Sequence, residues 1–491
     1  MLVFLLFILQ TLALFGLLTN LRRAEEASTA ISGTAFLLSL SALFFPAEQA
    51  LAAGLNQGRE AFLFTSVICF ISLVIQAYSL RHLGGHRWKR RAFRYFVALT
   101  ISLMAFALAD NILLLAVALG VSNFLLSRLV GHQQNWAAAR ASGRLAWRQL
   151  GLGSALLALT VGILYFNLGS LSLQSLAEST IENPWLSITA SLLILSAMAQ
   201  SAIWPLHRWL IASANAPTPV SAFMHAGLVN GGALILYKFA PILRQVEWSS
   251  TALVLTGAIT AVLGTTWMLV QTDVKRTLTC STMGQMGFMI LQCGLGLFPA
   301  ALSHMIWHGF FKASLFLSAG STVKAAKNQS LRLEGPNALP VFGFGIVVGL
   351  GGGLIFRQFT PDIGGLDSTY LLLLVFCSIT CAHAVMAILQ PRLSPGRAVL
   401  AAALGLFGAT VYGASVWLVE SQMAPLPAPP LNALHLAILT IFVLGWLAMI
   451  FRGYLPRLLG ERLTAPLYVR VLRDSQPERT TMSPQRGQYH F

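Results

Sequence analysis

Apolar runs of about 18–25 residues recur from one end of this chain to the other, each long enough to cross a bilayer as one helix. Inside a bilayer every backbone N–H and C=O must be paired within the protein, so runs of this length specify helices. A transmembrane β-barrel is excluded, because its strands are short and alternate in polarity. Charged residues make up only 10% of the 491, against roughly 25% in a soluble domain. The expected fold is an all-α polytopic membrane protein with about 15 transmembrane helices. The first run, MLVFLLFILQTLALFGLLTN, has no basic leader and no small-residue cleavage site, and is expected to be a retained span.

The net charge of +16 reports loop orientation in such a chain rather than nucleic-acid binding. Basic residues concentrate in alternate loops: RHLGGHRWKRRAFR at 81–94, then Arg128, Arg140, Arg144 and Arg148, then Asp273–Arg276, Lys324, Lys327 and Arg332, Arg392 and Arg397, and the tail. The intervening loops are acidic or poor in bases, with Glu48, Glu60, Asp110, Glu178, Glu182, Asp362, Asp367 and Glu420. By the positive-inside rule the N-terminus is expected outside and the C-terminus in the cytoplasm of a bacterial inner membrane. The organisation expected is N-terminal helices over 1–91, two five-helix halves over 92–243 and 250–389, C-terminal helices over 390–451 and a basic tail over 452–491.

Two spans read as broken. Pro205 removes a backbone donor in SLLILSAMAQSAIWPLHRWLIASANAPTP, so a break is expected over Gln200–Pro205. Gly349 and Gly351, Gly352 and Gly353 weaken LPVFGFGIVVGLGGGLIFRQF, where close helix packing is the competing reading. Breaks at matching places in two halves point to an inverted-repeat transporter with its site near the midplane.

His304, His308 and Lys312 stand at four-residue steps in ALSHMIWHGFFKASLFLSAGS. Such steps drift by only about 40° around a helix, so the three side chains form one stripe. A lysine at the bilayer centre costs roughly 2.5–3.5 kcal/mol on insertion scales, which makes it a functional residue by default. Histidine exchanges protons near neutrality, so the stripe is a candidate proton relay. The histidine spacing also suits a zinc pair, but no glutamate or third ligand accompanies it. Upstream, PLHRWLIASANAPTPVSAFMHAGLVNGGALILYKFAP places His225 within a span and Lys238 near its far end, with Asn215 or Thr218 as possible helix caps. Asp273 is placed to cap a helix entrance, and His383 reads as structural. The five cysteines lie in or beside apolar spans and complete no metal set. No phosphate loop or nucleophile elbow occurs, so no covalent catalysis is expected.

The stretches PLHRWLIASANAPTPVSAFMHAG, QTDVKRTLTCSTMGQMGFM and SHMIWHGFFKASLFLSAGS resemble the proton-translocating, antiporter-like membrane subunits of respiratory complex I and the Mrp antiporters. That resemblance implies two inverted five-helix bundles with broken seventh and twelfth helices. It implies Lys312 as the central-axis lysine of the second half-channel, His304 and His308 as the histidines feeding it, and His225 as the bridge between halves. The departures are specific. The family's fifth-helix glutamate falls at about Gly120 and its first-break lysine at Gln200; no second-break lysine follows Gly353, Arg357 being the nearest cation; and no long amphipathic helix follows the last span.

The DabB branch of this family, membrane subunits of two-component inorganic carbon pumps, fits the departures better. It keeps the HxxxHGxFKA stripe and NAPTPVSAxMHAGxVNxGG, which stands at Asn215 to Gly232. This resemblance implies a soluble DabA-like partner with a zinc-dependent, carbonic-anhydrase-like site, driven by inward cation flow, by expectation protons, through this subunit. No cofactor is then expected on this chain, and the zinc belongs to the partner. The rivals are a subunit of complex I or of an Mrp-type antiporter and, from a different class, a stand-alone solute transporter.

Overall fold

The computed structural model describes residues 2–19, 21–44, 54–56, 58–178, 184–320, 333, 337–361, 365–390, 393–423, 428–451 and 461–482. Glu48, Glu182, Lys324, Lys327, Arg332, Asp362 and Arg392, on which part of the orientation expectation rests, lie outside the described residues. The described chain is helical throughout, with isolated β-bridges only. Ten described segments, the interrupted Thr218–Lys238 among them, are long and apolar enough to cross a membrane, against about 15 expected, and large side chains such as Phe166, Leu339 and Val399 stand exposed on the outside of the fold, as a lipid-facing surface requires.

The chain forms two compact units. The first holds α1 (Leu2–Leu18), α2 (Ala24–Ser41), α3 (Arg59–His82), α4 (Lys89–Leu108), α5 (Ile112–Val130), α6 (Ala137–Leu168), α7 (Leu173–Glu178), α8 (Trp185–Gln200), α9 (Arg208–Ala212), α10 (Thr218–Ala226), α11 (Gly231–Lys238), α12 (Ala240–Arg244) and α13 (Glu247–Val270). It also takes α14 (Val274–Gly294) as far as Leu291, α15 (Phe298–Ser318) from His304, and the segment from Ser475. The second unit holds Gln292–Ser303, α16 (Ala338–Phe359), α17 (Tyr370–Leu389), α18 (Pro395–Glu420), α19 (Ala433–Ile450) and α20 (Glu461–Asp474).

In the first unit, α2, α3 and α4 are joined by a buried chain of side chains. Gln76 accepts from Ser28 at 3.0 Å and donates to Ser32 and Ser72 at 2.8 and 2.9 Å; Ser72 and Thr100 lie 2.6 Å apart. Such bonds hold helices together where lipid removes the hydrophobic drive between them. The tail returns to this unit: Ser475 accepts from Gln271 at 2.7 Å, Gln476 from Arg276 at 3.0 Å, and the Thr481 carbonyl from Asn215 at 2.7 Å.

The break expected over Gln200–Pro205 is present, but its cause lies upstream of the proline. α8 ends at Gln200, Ala202 adopts a left-handed φ of 53°, and the Ile203 N–H bonds the Met198 carbonyl at 2.9 Å. That is a Schellman-type stop, which closes the helix before Pro205 is reached.

The second expected break is not found. α16 runs unbroken from Ala338 to Phe359, with Gly351, Gly352 and Gly353 in its interior. A methyl on Gly349 would meet the Ser378 carbonyl at 2.5 Å, and one on Gly352 the Cys381 sulfur at 2.8 Å. These glycines let α17 approach, so packing rather than flexibility accounts for them.

A break absent from the sequence reading occurs instead within 217–243. α10 stops at Ala226, Gly227 takes φ −112° and ψ −80°, and Leu228–Asn230 forms one 3₁₀ turn before α11. Neither expected cap serves α10: Pro217 stands at its N-cap without a side-chain bond, while Asn215 is bound to Ser142 and Thr481. After the last apolar helix comes α20, of 14 residues, with Leu467, Tyr468 and Val469 exposed.

Candidate functional site

α14 and α15 run antiparallel across a short connection, and their polar stripes face each other. Asp273 caps α14 by accepting from the Arg276 N–H at 2.8 Å, as expected of an acid at a helix entrance. From there α14 presents Leu278, Ser281 and Gln285, at steps of three and four residues. Lys312 of α15, only 1% exposed, donates to Ser281 Oγ at 2.9 Å and to the Leu278 carbonyl at 3.2 Å. At the other end His304 Nε2 lies 2.9 Å from Gln285 Oε1.

His308 lies between them. Its ring is 6.1 Å from that of His304, it is buried, and neither ring nitrogen has a protein partner among the described residues. Burying a polar atom without a partner costs about 1–3 kcal/mol. A group kept at that cost in the middle of a titratable stripe is suited to taking up and passing on a proton.

His225 also reaches this place. The carbonyl of Ala226, at the end of α10, lies 2.9 Å from where a methyl on Gly309 would stand, so Gly309 lets α10 close against α15. His225, 1% exposed, then stacks on Phe316 with centroids 4.2 Å apart and planes 13° from parallel. Phe316 is one turn from Lys312. The structure therefore assembles His304, His308, Lys312 and His225.

It does not bring Lys238 to them. Lys238 donates to the Ala109 carbonyl at 2.9 Å, at the far end of α4. Lys275, one turn before Leu278, instead shares a cavity with Trp88, at the beginning of that helix. A helix of that length spans about 30 Å. Arg357 lies exposed in the last turn of α16, within the second unit.

Two sets of functional candidates escaped the sequence reading. Ser281 and Gln285 are uncharged, and only their spacing opposite the stripe marks them. The other is Asn123, which meets the already expected Gln200 at the first break. Gln200 is buried and accepts from Asn123 Nδ2 at 2.9 Å while donating to the freed Leu228 carbonyl at 2.9 Å. Asn123 stands three residues beyond Gly120 and also donates to Ser154 at 2.9 Å. A neutral amide pair thus occupies the place where the resemblance implied an acid and a lysine. Beside it a cavity of about 50 Å³ is lined by Gln200, Gly227, Asn230 and Met305, enough for water. Among the described residues no group of three or more His, Cys, Asp or Glu is placed to hold a metal ion.

Antiparallel helices with a buried Lys–His stripe beside a broken helix define an antiporter-like membrane subunit. Residues 109–339 match the family described as NADH:quinone oxidoreductase/Mrp antiporter, transmembrane. The fold is similar to a chain of the Mrp complex from Dietzia sp. DQ12-45-1b, with TM-score 0.57 and 23% identity over 97% of this chain and 52% of that one.

More particularly, the chain is 36% identical over 274 residues to the probable inorganic carbon transporter subunit DabB1 of Halothiobacillus neapolitanus, covering 54% of this chain and 48% of the relative. It is 31% identical over 389 residues to the probable inorganic carbon transporter subunit DabB of Hydrogenovibrio crunogenus, covering 77% and 74%. The chain thus spans about half the length of the first relative and about three quarters of the second. It belongs to the DabB family of inorganic carbon transporter subunits, within the complex I and Mrp antiporter-like family.

Proposed function

We propose that this chain is the proton-conducting membrane subunit of an energy-coupled inorganic carbon accumulation complex. Protons entering through it would drive CO2 hydration on a soluble, DabA-like, zinc-holding partner, trapping hydrogencarbonate in the cytoplasm. The observation that carries the reading is the buried Lys312 bonded to Ser281, with His304 at Gln285 and the buried His308 between them. Lys312 is the central carrier, His308 and His304 pass protons along α15, and His225 joins the stripe at the Lys312 end. Protons are favoured over sodium because the stripe offers nitrogen donors, whereas a sodium site needs several oxygen ligands. The basic loops, 81–94 among them, are proposed to face the cytoplasm, which puts Lys275 and α20 on the partner's side. Asp273 supports the stripe by fixing the start of α14.

The test is growth in air of a carbonic-anhydrase-deficient bacterium carrying this chain and its partner. Lys312→Ala should abolish rescue while the complex still assembles; rescue by an assembled Lys312→Ala complex would sink the relay. The likeness to an Mrp complex favours one second reading, a cation/proton antiporter subunit. Co-purification in mild detergent separates the two: a single large soluble zinc protein supports the first, and several other hydrophobic subunits support the second.

A further inference from the structure

A cavity of about 410 Å³ in the first unit is not part of the stripe. Lys275, His82, His86 and His132 contribute four basic side chains to it, and Trp88 and Trp136 form part of its wall. Among the described residues no aspartate or glutamate lines it. The remaining wall is Leu83, Gln133 and Asn215–Thr218, and the last of these leads into α10. Pro217 and Pro219 carry no N–H, so Thr218 and Val220 are the donors left in that first turn, at the positive end of the helix dipole.

We infer that this vestibule binds a small inorganic oxyanion, of the hydrogencarbonate and phosphate class. Lys275 Nζ gives one hydrogen bond to the Ala216 carbonyl at 2.8 Å, and an ammonium has three N–H donors. His132 is held against Trp88 with ring centroids 4.6 Å apart, and its Nδ1 is buried. His82 stacks on Tyr78 at 5.1 Å, which fixes the direction of its ring. The volume exceeds by several-fold the ~30 Å³ that a water molecule takes in the liquid, leaving room for an oxyanion with bound water. The Lys275 ammonium disfavours a cationic ligand.

Asp273, two residues from Lys275, acts on that ammonium, and its carboxylate already accepts the Arg276 N–H. Burial pushes the His132 imidazolium down to about 4, against a hydrogen bond to the Val130 backbone and with Lys275 adding to the shift, so this ring is neutral at pH 7. An anion placed among Lys275, His82, His86 and His132 reverses that balance and favours protonated rings. Anion binding is therefore coupled to proton uptake and strengthens as the pH falls. The inference is independent of conduction by the stripe, and a defect in one leaves the other testable.

Two sources share this chemistry, free ions and the phosphate headgroups of lipids. The full chain in a zwitterionic detergent would be titrated with sodium phosphate and, separately, sodium hydrogencarbonate, against sodium chloride at equal ionic strength, reading tryptophan fluorescence. The chain has 11 tryptophans, so Trp88→Phe and Trp136→Phe identify the reporter. The expected result is a saturable change with both oxyanions and none with chloride. It should be weakened about tenfold or more in Lys275→Gln, as for loss of one charge-assisted bond, and retained in Lys275→Arg. The midpoint should move to lower concentration between pH 8 and pH 6. An unchanged response in Lys275→Gln, or no saturable response to either oxyanion, overturns the inference. So does a response seen only in nanodiscs containing anionic phospholipid, which would assign the vestibule to headgroups.

Discussion

Replacing Lys312 by methionine should remove proton conduction without weakening the fold. The side chain is 1% exposed and makes two hydrogen bonds, to Ser281 Oγ at 2.9 Å and to the Leu278 carbonyl at 3.2 Å. Interhelical hydrogen bonds within membranes average about 0.6 kcal/mol, so the loss is about 1.2 kcal/mol. Ser281 sits on a helix and can turn its hydroxyl to the carbonyl one turn back, so it is not stranded. Against that loss stands the roughly 2.5–3.5 kcal/mol that an insertion scale assigns to lysine at a helix centre, a cost methionine does not carry. The balance predicts a variant as stable as the parent, or more stable by up to about 1–2 kcal/mol. Two assays are needed together. Thermal unfolding of the purified chain in detergent should show an unchanged or raised midpoint, and proteoliposomes with an enclosed pH-sensitive dye should show proton flux at background. A residue kept at a cost in stability and needed for flux is a functional residue. If Lys312→Met lowers the midpoint by several degrees, the lysine is a structural clamp between α14 and α15. If flux survives, the stripe is not the route.

Other perturbations test the first break and the packing around it. Gln200→Lys places an unpaired charge in a buried site and should destabilise the chain by about 3–5 kcal/mol, whereas Gln200→Lys with Asn123→Glu should recover most of that, as measured by thermal melts of the three proteins. Equal melts for the single and double variants would show that the two positions do not interact. Gln76→Leu removes two buried bonds joining α2 to α3 and a third within α3 and should cost about 1–2 kcal/mol, read as a lower midpoint with the proton flux per folded molecule unchanged. Ala202→Gly relieves a left-handed alanine at the end of α8 and should raise stability by about 1 kcal/mol; a loss would mean that the Ala202 methyl packs better than its backbone is strained.

What could be read in the sequence was whatever depends on charge and period. His304, His308 and Lys312 announced themselves because ionisable residues at four-residue steps are rare in apolar runs, and the structure puts them on one face of α15. The first break was placed correctly, although Pro205 took the credit for a stop made by Ala202. Neutral polar residues stayed hidden. Ser281, Gln285 and Asn123 look like ordinary membrane residues until the facing helix is known. Glycines were ambiguous for a physical reason: an absent Cβ allows either a bend or a close neighbour, and only the neighbour decides. At Gly352 the neighbour is Cys381 and the helix continues; at Gly227 the chain turns, freeing the Leu228 and Val229 carbonyls that Gln200 and Ser201 then satisfy.

The distribution of charge argues for one conducting stripe rather than two. A proton route needs groups that exchange protons at a physiological pH, and amides do not. At the first break the Asn123–Gln200 pair satisfies the freed Leu228 carbonyl without any titratable group, so it supports the broken helix but cannot relay. The stripe on α15 retains two histidines and a lysine, all within the first compact unit, and His225 arrives there from α10. Lys275 stands one turn before Leu278, whose carbonyl Lys312 contacts, and it also borders the basic vestibule. That order of residues along α14 sets the vestibule one helical turn from the carbonyl that Lys312 contacts. An oxyanion seated at Lys275 would lower the electrostatic cost of a proton arriving at Lys312. The vestibule and the stripe therefore make a joint prediction: proton flux in proteoliposomes should rise with saturating internal phosphate in the parent and not in Lys275→Gln. Equal stimulation of both would separate the two sites.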